Sequence, residues 1–284
     1  MEGNPENLSD SYLRDLASLG AVDRLSIGVQ SFVDKELEAV GRVHSVEQAI
    51  HAVESAVRAG FGNLSVDLIM GLPGQTLESW RQSLATLATM GEWVKHLSCY
   101  ELTVEPGTIL EKRLGRGLVS LAGDDLLSAE YGMLMEWCDD NAMEVYEVSN
   151  FSRRGFRSRH NSRYWTREPY VGLGASAHSF DGVRRRWNNA DVTAYIDSAR
   201  HGDVPHGEET LSPRDAFNEY VMTALRTVDG IDKRLIDKRF ADALALHITP
   251  YVAEGMIVDE GTHYRPTREG MLHADGIAVS LFEL

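Results

Sequence analysis

One short segment of the chain, RHNSRYW at residues 159–165, combines a histidine with an asparagine and two large aromatic residues. A neutral imidazole such as that of His160 can bind a metal or carry a proton. The rings of Tyr164 and Trp165 can lie along a flat ligand, although such rings more often serve packing. His160 could equally support a turn through a hydrogen bond to the neighbouring backbone. The segment alone leaves both interpretations open.

Two other polar side chains, Gln30 and Asp67, lie in segments that otherwise have the alternating pattern of β-strands. In DRLSIGVQSF (23–32) and NLSVDLIMGLPG (63–74), apolar residues alternate with polar or small ones, as in strands with one face towards a core. If the sheet curves into a barrel, Gln30 and Asp67 point into its interior, where they would hold a polar ligand. Alternatively, neighbouring backbone groups satisfy the hydrogen-bonding groups of Gln30 and Asp67. The residues predicted to meet the outer helices are Leu25, Ile27, Val29, Leu64, Val66 and Leu68.

Helical patterns separate these strands. Ser45 and Gln48 can form a capping box at the start of a helix that ends at Gly60, and a second helix is predicted from Thr76 to Gly91. A further strand is predicted in VKHLSCYELTVEPGT, residues 94–108. The alternation of strands and helices predicts parallel βα units and therefore an α/β fold.

The sequence pattern changes near its last third, which predicts a first domain at 1–205 and a second at 206–284. Ser212-Pro213 is typical of a helix start, and Glu260-Gly261 predicts a hairpin turn before a last helix. Helices followed by a hairpin predict a small α+β domain of the winged-helix type. Because acidic residues outnumber basic ones here, we interpret it as a packing or partner-binding domain.

The composition excludes several classes of function. The chain has 284 residues, of which 43% are hydrophobic, enough for a sizeable core, and its net charge of −15 opposes binding to nucleic acid. No long apolar run or basic leader occurs, which predicts a soluble cytoplasmic protein. Cys99 and Cys138 lack the close spacing of a zinc or iron–sulfur site, so we interpret both as buried thiols.

Eight segments carry a resemblance to a known family. They are EGNP (2–5), RLSIGVQSF (24–32), VGRVHS (40–45), DLIMGLPGQT (67–76), HLSCYELTVEPGT (96–108), YEVSNF (146–151), HNSRYW (160–165) and GLGASAHS (172–179). With them the chain resembles the radical S-adenosylmethionine (SAM) proteins of the anaerobic coproporphyrinogen III oxidase family, and most of all their HemW-type haem chaperone subgroup. The resemblance runs over essentially the whole chain. It implies an incomplete parallel (β/α) barrel of the radical SAM type, without its N-terminal strands, followed by a small winged-helix-like domain.

The resemblance also implies a cofactor site. In the family, SAM is held by residues that match Glu2, Gln30, Arg42 and Asp67 of this chain. Arg42 would pair with the methionine carboxylate through two parallel hydrogen bonds, while the carboxylates and the amide would bind ribose hydroxyls or the amino group. A surface salt bridge is the alternative role for Arg42.

The three-cysteine loop of the family has no counterpart in this sequence. The complete family holds a [4Fe-4S] cluster through three thiolates of a CxxxCxxC loop, and Cys99 and Cys138 cannot replace them. Because the match begins in mid-motif at Glu2, we expect a truncated product or a misplaced start codon rather than a natural cluster-free variant. The chain as written is predicted to be unable to cleave SAM, and its strand at 23–32 is predicted to be an unpaired edge.

The HNxxYW segment is typical of the HemW-type subgroup and implies haem binding. His160 would be the iron ligand and Tyr164 and Trp165 would lie along the porphyrin, with His178 and His44 as further candidates. The implied function is a haem chaperone that passes haem to respiratory haem proteins, with peripheral membrane contact left open. One alternative is an oxygen-independent coproporphyrinogen III oxidase. Another is a winged-helix regulator without catalysis, against which the acidic charge argues.

Overall fold

The chain folds as two compact units. The computed structural model describes residues 1–202 and 205–283, and their contacts divide the chain into Met1–Arg157 and Ser158–Leu284. Residues 158–202 and 205, which the sequence pattern assigns to the first domain, therefore group with the second unit. One reason is an ion pair between Arg185 Nη1 and Glu219 Oε1 at 2.7 Å, which joins this segment to the helices that follow it.

The first unit alternates strands with helices. Its strands are β1 (Glu2–Gly3), β2 (Leu25–Gln30), β3 (Leu64–Met70), β4 (Val94–Glu101), β5 (Glu144–Glu147) and β6 (Asn150–Ser152). Its helices are α1 (Asp10–Ser18), α2 (Asp34–Ala39), α3 (Val46–Arg58), α4 (Leu77–Thr89), α5 (Ile109–Gly115) and α6 (Asp124–Asp140). The order confirms the α/β fold predicted from the sequence.

The six strands form one sheet in the order β1-β2-β3-β4-β6-β5. The first four are parallel, and β6 and β5 join them antiparallel. The prediction that the strand at 23–32 is an unpaired edge is wrong, because Glu2 pairs with Ser26 and Gly3 with Ile27. The amino group of Met1 extends this pairing by donating to the carbonyl oxygen of Arg24 at 2.7 Å.

Helices α1, α3, α4 and α6 share one hydrophobic core with this sheet, as the period of two in β2 and β3 predicts. The apolar residues predicted to meet them are all fully buried in the hydrophobic core, namely Leu25, Ile27, Val29, Leu64, Val66 and Leu68. On α3, small residues carry much of the buried face: Ala49, Ala52 and Ala56 are fully or almost fully buried. Val46 and Ile50 of the same helix are only partly buried and pack against this core.

Capping residues set the starts of the helices that follow β2 and β3. Ser45 accepts from the backbone N–H of Gln48, and the Gln48 side chain accepts from the N–H of Ser45, which confirms the predicted capping box. Thr76 and Ser79 form the same reciprocal pair before α4. These bonds satisfy backbone donors that have no partner within the helix.

The second unit contains two small antiparallel sheets among helices. Its strands are β7 (His178–Phe180), β8 (Arg184–Asn188), β9 (His206–Thr210), β10 (Ile231–Asp232), β11 (Ile257–Asp259) and β12 (His263–Pro266). Its helices are α7 (Arg159–Trp165), α8 (Val192–Arg200), α9 (Pro213–Leu225), α10 (Lys238–Ala253), α11 (Arg268–Leu272) and α12 (Ala274–Ser280). The sheet orders are β7-β8-β9 and β10-β12-β11.

The C-terminal part of this unit confirms two predictions from the sequence. Ser212 caps α9 with Pro213 in the first turn, and β11 and β12 form an antiparallel hairpin around Glu260 and Gly261. The positive φ of 83° at Gly261 is why glycine suits this turn. Among the described residues, no helix combines the length and the apolar composition that crossing a membrane requires.

Candidate functional site

The carboxyl end of β2 has an unusual backbone at Gln30. This residue has a φ of 71°, in the left-handed region that non-glycine residues rarely adopt. The pairing of β2 with β3 shifts register between Gly28 and Gln30. Such irregularities re-aim side chains and are frequent next to functional sites. Gln30 is only 7% exposed, so its amide belongs to the interior of the first unit.

Three polar side chains converge over Gly28. A Cβ atom on Gly28 would lie 2.8 Å from Gln30 Nε2, 3.0 Å from Asn4 Oδ1 and 3.7 Å from Arg42 Nη2. Arg42 Nη1 also donates to Asn4 Oδ1 at 3.1 Å. The structure therefore brings Gln30 and Arg42 together, and it adds Asn4, which reasoning from the sequence did not single out. The position of Asn4 directly after β1 was the sequence signal that could have identified it.

Asp67 lies directly opposite Gly28, on the neighbouring strand β3. It accepts a hydrogen bond from Ser26 Oγ at 3.0 Å and another from the Ser98 hydroxyl. Burial raises the pKa of Asp67 and outweighs both hydroxyls, and the negative charge of Glu2 raises it further. Glu2 itself pairs with Ser26 at the start of the sheet. The four predicted cofactor residues thus all belong to β1–β3 and the segment that follows β2.

A buried histidine, His96, lies on the same face of β4 as Ser98. Its Nδ1 is 2.8 Å from Ser65 Oγ, and its Nε2 is 2.7 Å from the Tyr146 hydroxyl. Burial lowers the pKa of His96 to about 3, with a smaller contribution from the positive charge of Arg24. His96 is therefore neutral. Reasoning from the sequence did not single it out, although the alternation that places Asp67 inside also applies to β4.

Two buried carboxylates hold the turn that follows β3. Glu130 Oε2 accepts from the backbone N–H of Gly71 at 3.0 Å, and Glu36 Oε2 accepts from Gln75 Nε2 at 3.1 Å. Within residues 1–202 and 205–283, the Oε1 atoms of both glutamates have no hydrogen-bond partner. Burial raises the pKa of Glu130 to about 7, and the charge of Glu36 contributes. The carboxyl group of Glu130 is therefore partly protonated near neutral pH.

The second unit contains a cavity of about 1260 Å³ beside His160, larger than the roughly 300–1,000 Å³ of a typical small-ligand site. His160 lies in the short helix α7, not in a loop, because Ser158 caps that helix. The Tyr164 ring meets His160 edge-on at 5.0 Å, and Tyr170 meets Tyr164 at 5.0 Å. The three rings form one aromatic wall of the cavity.

The other candidate haem contacts, His178, Trp165 and His44, lie in different surroundings. His178 also lines the cavity and stacks on Trp187 at 6.1 Å. Trp165 is not among the lining residues; its ring lies beneath the Arg226 guanidinium at 6.0 Å. His44 is buried, and its two ring nitrogens lie 3.2 Å from Glu6 Oε2 and 3.0 Å from the Val29 carbonyl oxygen.

The two cysteines are buried in the core of the first unit, which confirms that part of the prediction. Burial raises the pKa of the Cys99 thiol well above its usual range, which disfavours the thiolate form that iron binds. The described residues therefore do not fit a [4Fe-4S] cluster. Nor does any group of three or more His, Cys, Asp or Glu residues in that part of the chain have a metal-binding arrangement.

Comparison with protein families and solved structures places this geometry in context. Residues 1–87 match the Radical SAM superfamily, and residues 211–273 match the HemN C-terminal domain. A solved structure of coproporphyrinogen III oxidase (HemN) from Escherichia coli superposes with a TM-score of 0.79 over 99% of this chain and 68% of that one. At 19% identity, this likeness shows the fold.

Curated relatives are more similar in sequence. The heme chaperone HemW of Bacillus subtilis is 36% identical over 85% of this chain, which spans 62% of that relative's length. The HemW of Mycobacterium tuberculosis is 31% identical over 99% of this chain and 70% of its own length. A zebrafish (Danio rerio) mitochondrial radical S-adenosyl methionine domain-containing protein 1 is 37% identical over 81% of this chain and 53% of its own length. The chain therefore belongs to the HemW family of radical SAM proteins.

Proposed function

We propose that this chain binds haem in the cavity of the second unit and acts as a haem chaperone, with respiratory haem proteins as recipients. The names of the curated relatives support the ligand. The observation that carries the proposal is His160. Neither of its ring nitrogens has a hydrogen-bond partner in the described part of the chain, and it lines a cavity with two tyrosines. A neutral imidazole free to coordinate is a suitable axial ligand for haem iron.

Replacing His160 with Ala should weaken the binding of haemin and shift the Soret band. We expect the dissociation constant to rise at least about tenfold, because even groups that only orient a metal ligand are worth 10–100-fold in affinity. The exposed position of His160 at the start of α7 predicts that the fold stays intact. The measurement is a haemin titration followed by absorbance, with circular dichroism of each variant.

The matched control is His247→Ala, which removes an exposed histidine of α10 that does not line the cavity. Its haemin affinity and Soret band should equal those of the wild type. If the His160 and His247 variants gave the same spectra and the same affinities, His160 would have only a structural role.

We further propose that Glu2, Gln30, Arg42 and Asp67, together with Asn4, bind SAM in the first unit. The cradle over Gly28 supports this, since a side chain there would fill the space where these polar groups meet. Arg42 would hold the methionine carboxylate, and Asp67 would accept hydrogen bonds from the ribose. In the complete family, SAM bound next to a cluster supplies a radical. That this chain is unable to cleave SAM stays a prediction.

Replacing Arg42 with Gln should weaken SAM binding about tenfold or more, since a charged two-point contact to a carboxylate is lost. Isothermal titration of the purified chain with SAM measures the affinity. The control is Arg14→Gln, which neutralises an exposed arginine of α1. Equal SAM affinities for the Arg42 variant and the wild type would remove Arg42 from the proposed site.

The alternative function is that of an oxygen-independent coproporphyrinogen III oxidase, and the likeness to the HemN fold favours it. It requires SAM cleavage, for which the described residues offer no set of cluster ligands. Turnover of coproporphyrinogen III by the reconstituted chain, in the presence of SAM and a reductant, would favour this alternative over haem transfer.

A further inference from the structure

The cavity of the second unit is apolar in one part and cationic in another. Besides its aromatic wall, it is lined by Val171 and Leu173, which are 81% and 86% exposed. Its charged lining residues are Arg163, Arg184, Arg186, Asp181 and Glu208. A cavity that exposes apolar side chains beside guanidinium groups fits a ligand with an apolar body and acidic substituents.

The strand β8 directs two of these arginines to the same side. Arg184 and Arg186 are two residues apart and therefore share a face, and Ser179 on β7 lies directly opposite Arg186. The side chains of such a pair have Cβ atoms roughly 4.5–5.5 Å apart. Ser179 Oγ already accepts from the backbone N–H of Gly172 at 3.0 Å, so its hydroxyl proton remains available for an acceptor. A hydroxyl and a guanidinium thus lie side by side.

The charges of the cavity leave Arg186 without a counter-ion. Arg184 Nε donates to Asp181 Oδ2 at 3.0 Å, and Arg163 Nε is 3.5 Å from Glu168 Oε2. Glu208 lies directly opposite Arg186 on β9, and in the described part of the chain the two form no ion pair. In residues 1–202 and 205–283, Arg186 has no hydrogen-bond or ion-pair partner. A guanidinium in this state has five unused donors for an incoming anion.

We propose that Arg186, together with the Ser179 hydroxyl, binds a carboxylate of an amphipathic tetrapyrrole whose apolar ring lies along the aromatic wall. This inference rests on the proposed haem binding and adds the group that recognises the acidic side chains of the ligand. Arg184, on the same face, is placed to contribute to a second carboxylate. Iron coordination by His160 and carboxylate binding by Arg186 are chemically separate contacts, so they can be tested separately.

The test compares haemin with haemin dimethyl ester, in which both carboxylates are esterified. Each is titrated, in the same detergent-containing buffer, into the full chain as wild type, Arg186→Gln, Arg186→Lys and Arg200→Gln. The Arg200 variant is the control, because Arg200 is an exposed arginine of α8 outside the cavity. Circular dichroism checks that each variant is folded.

We expect Arg186→Gln to weaken haemin binding about tenfold, as for loss of a charged hydrogen bond, and to leave the binding of the ester unchanged. The Arg186→Lys variant, which keeps the charge, should retain most of the affinity for haemin, and Arg200→Gln should retain all of it. The wild type should itself bind haemin more tightly than the ester.

Two results would overturn the inference while leaving the proposed function intact. One is equal haemin affinity for wild type and Arg186→Gln. The other is an equal loss of affinity for haemin and for its ester on that substitution, which would mean that no carboxylate is recognised. Absence of saturable haemin binding by the wild type would overturn both the inference and the proposed function.

Discussion

Acidification from pH 6.5 to pH 4 should destabilise the first unit through His96, whose contribution to the free energy of unfolding falls by roughly 3 kcal/mol. The sign follows from the depressed pKa. Above the unfolded-state pKa near 6.5, His96 is neutral in both states. As the pH falls towards about 3, the unfolded chain binds a proton that the folded unit resists. Unfolding is therefore favoured progressively over this window.

The measurement is hydrogen exchange of peptides from β3 and β4 between pH 4 and pH 7, corrected for the intrinsic exchange rate. His96→Gln removes the titration and should abolish this part of the pH dependence. The control, His51→Gln, replaces an exposed histidine of α3 in the same unit and should keep the dependence of the wild type. An unchanged slope in the His96 variant would contradict the assignment.

Replacing Glu130 with Gln should stabilise the first unit at pH 8 by about 2–3 kcal/mol, given its pKa of about 7 against an ordinary value of 4.5. A carboxyl whose folded-state pKa is raised contributes stability below its unfolded pKa and loses it as the pH rises to the folded one. At pH 8 the folded unit therefore carries a buried charge that the amide does not. The carbonyl oxygen of Gln can still accept from the Gly71 N–H.

The gain should be largest at pH 8 and should disappear as the pH falls towards 5, which urea unfolding at several pH values will measure. Glu136→Gln is the matched control, because Glu136 is an exposed carboxylate of the same helix. It should change stability by no more than a few tenths of a kcal/mol. A loss of stability in the Glu130 variant at pH 8 would show that the carboxylate is held by contacts stronger than the burial that opposes it.

The fold was largely predictable because its signals are local. The period of two in β2 and β3 reflects which side chains meet the helices, and the capping box at Ser45 depends on residues three apart. The sequence pattern changes near residue 205, whereas the contacts divide the chain at Arg157, and the ion pair between Arg185 and Glu219 joins positions far apart in the chain. No local pattern reports such a contact.

The candidate sites were predictable where a residue's direction follows from its strand. Asp67 and Gln30 were placed inside by alternation alone, whereas Asn4 became visible only through its approach to Gly28. The haem candidates depended on the resemblance. The structure then separated Tyr164, which lines the cavity, from Trp165, which lies under Arg226, because adjacent residues of a helix point in different directions.

The division of the chain between Arg157 and Ser158 has a consequence for how the two sites can change over generations. The residues proposed to bind SAM lie before this point, and those that line the cavity proposed to bind haem lie after it. The two sets share no residue, so a substitution changes one set at a time. Selection can therefore relax on one site while it maintains the other, and recombination near this boundary would exchange one ligand specificity as a block.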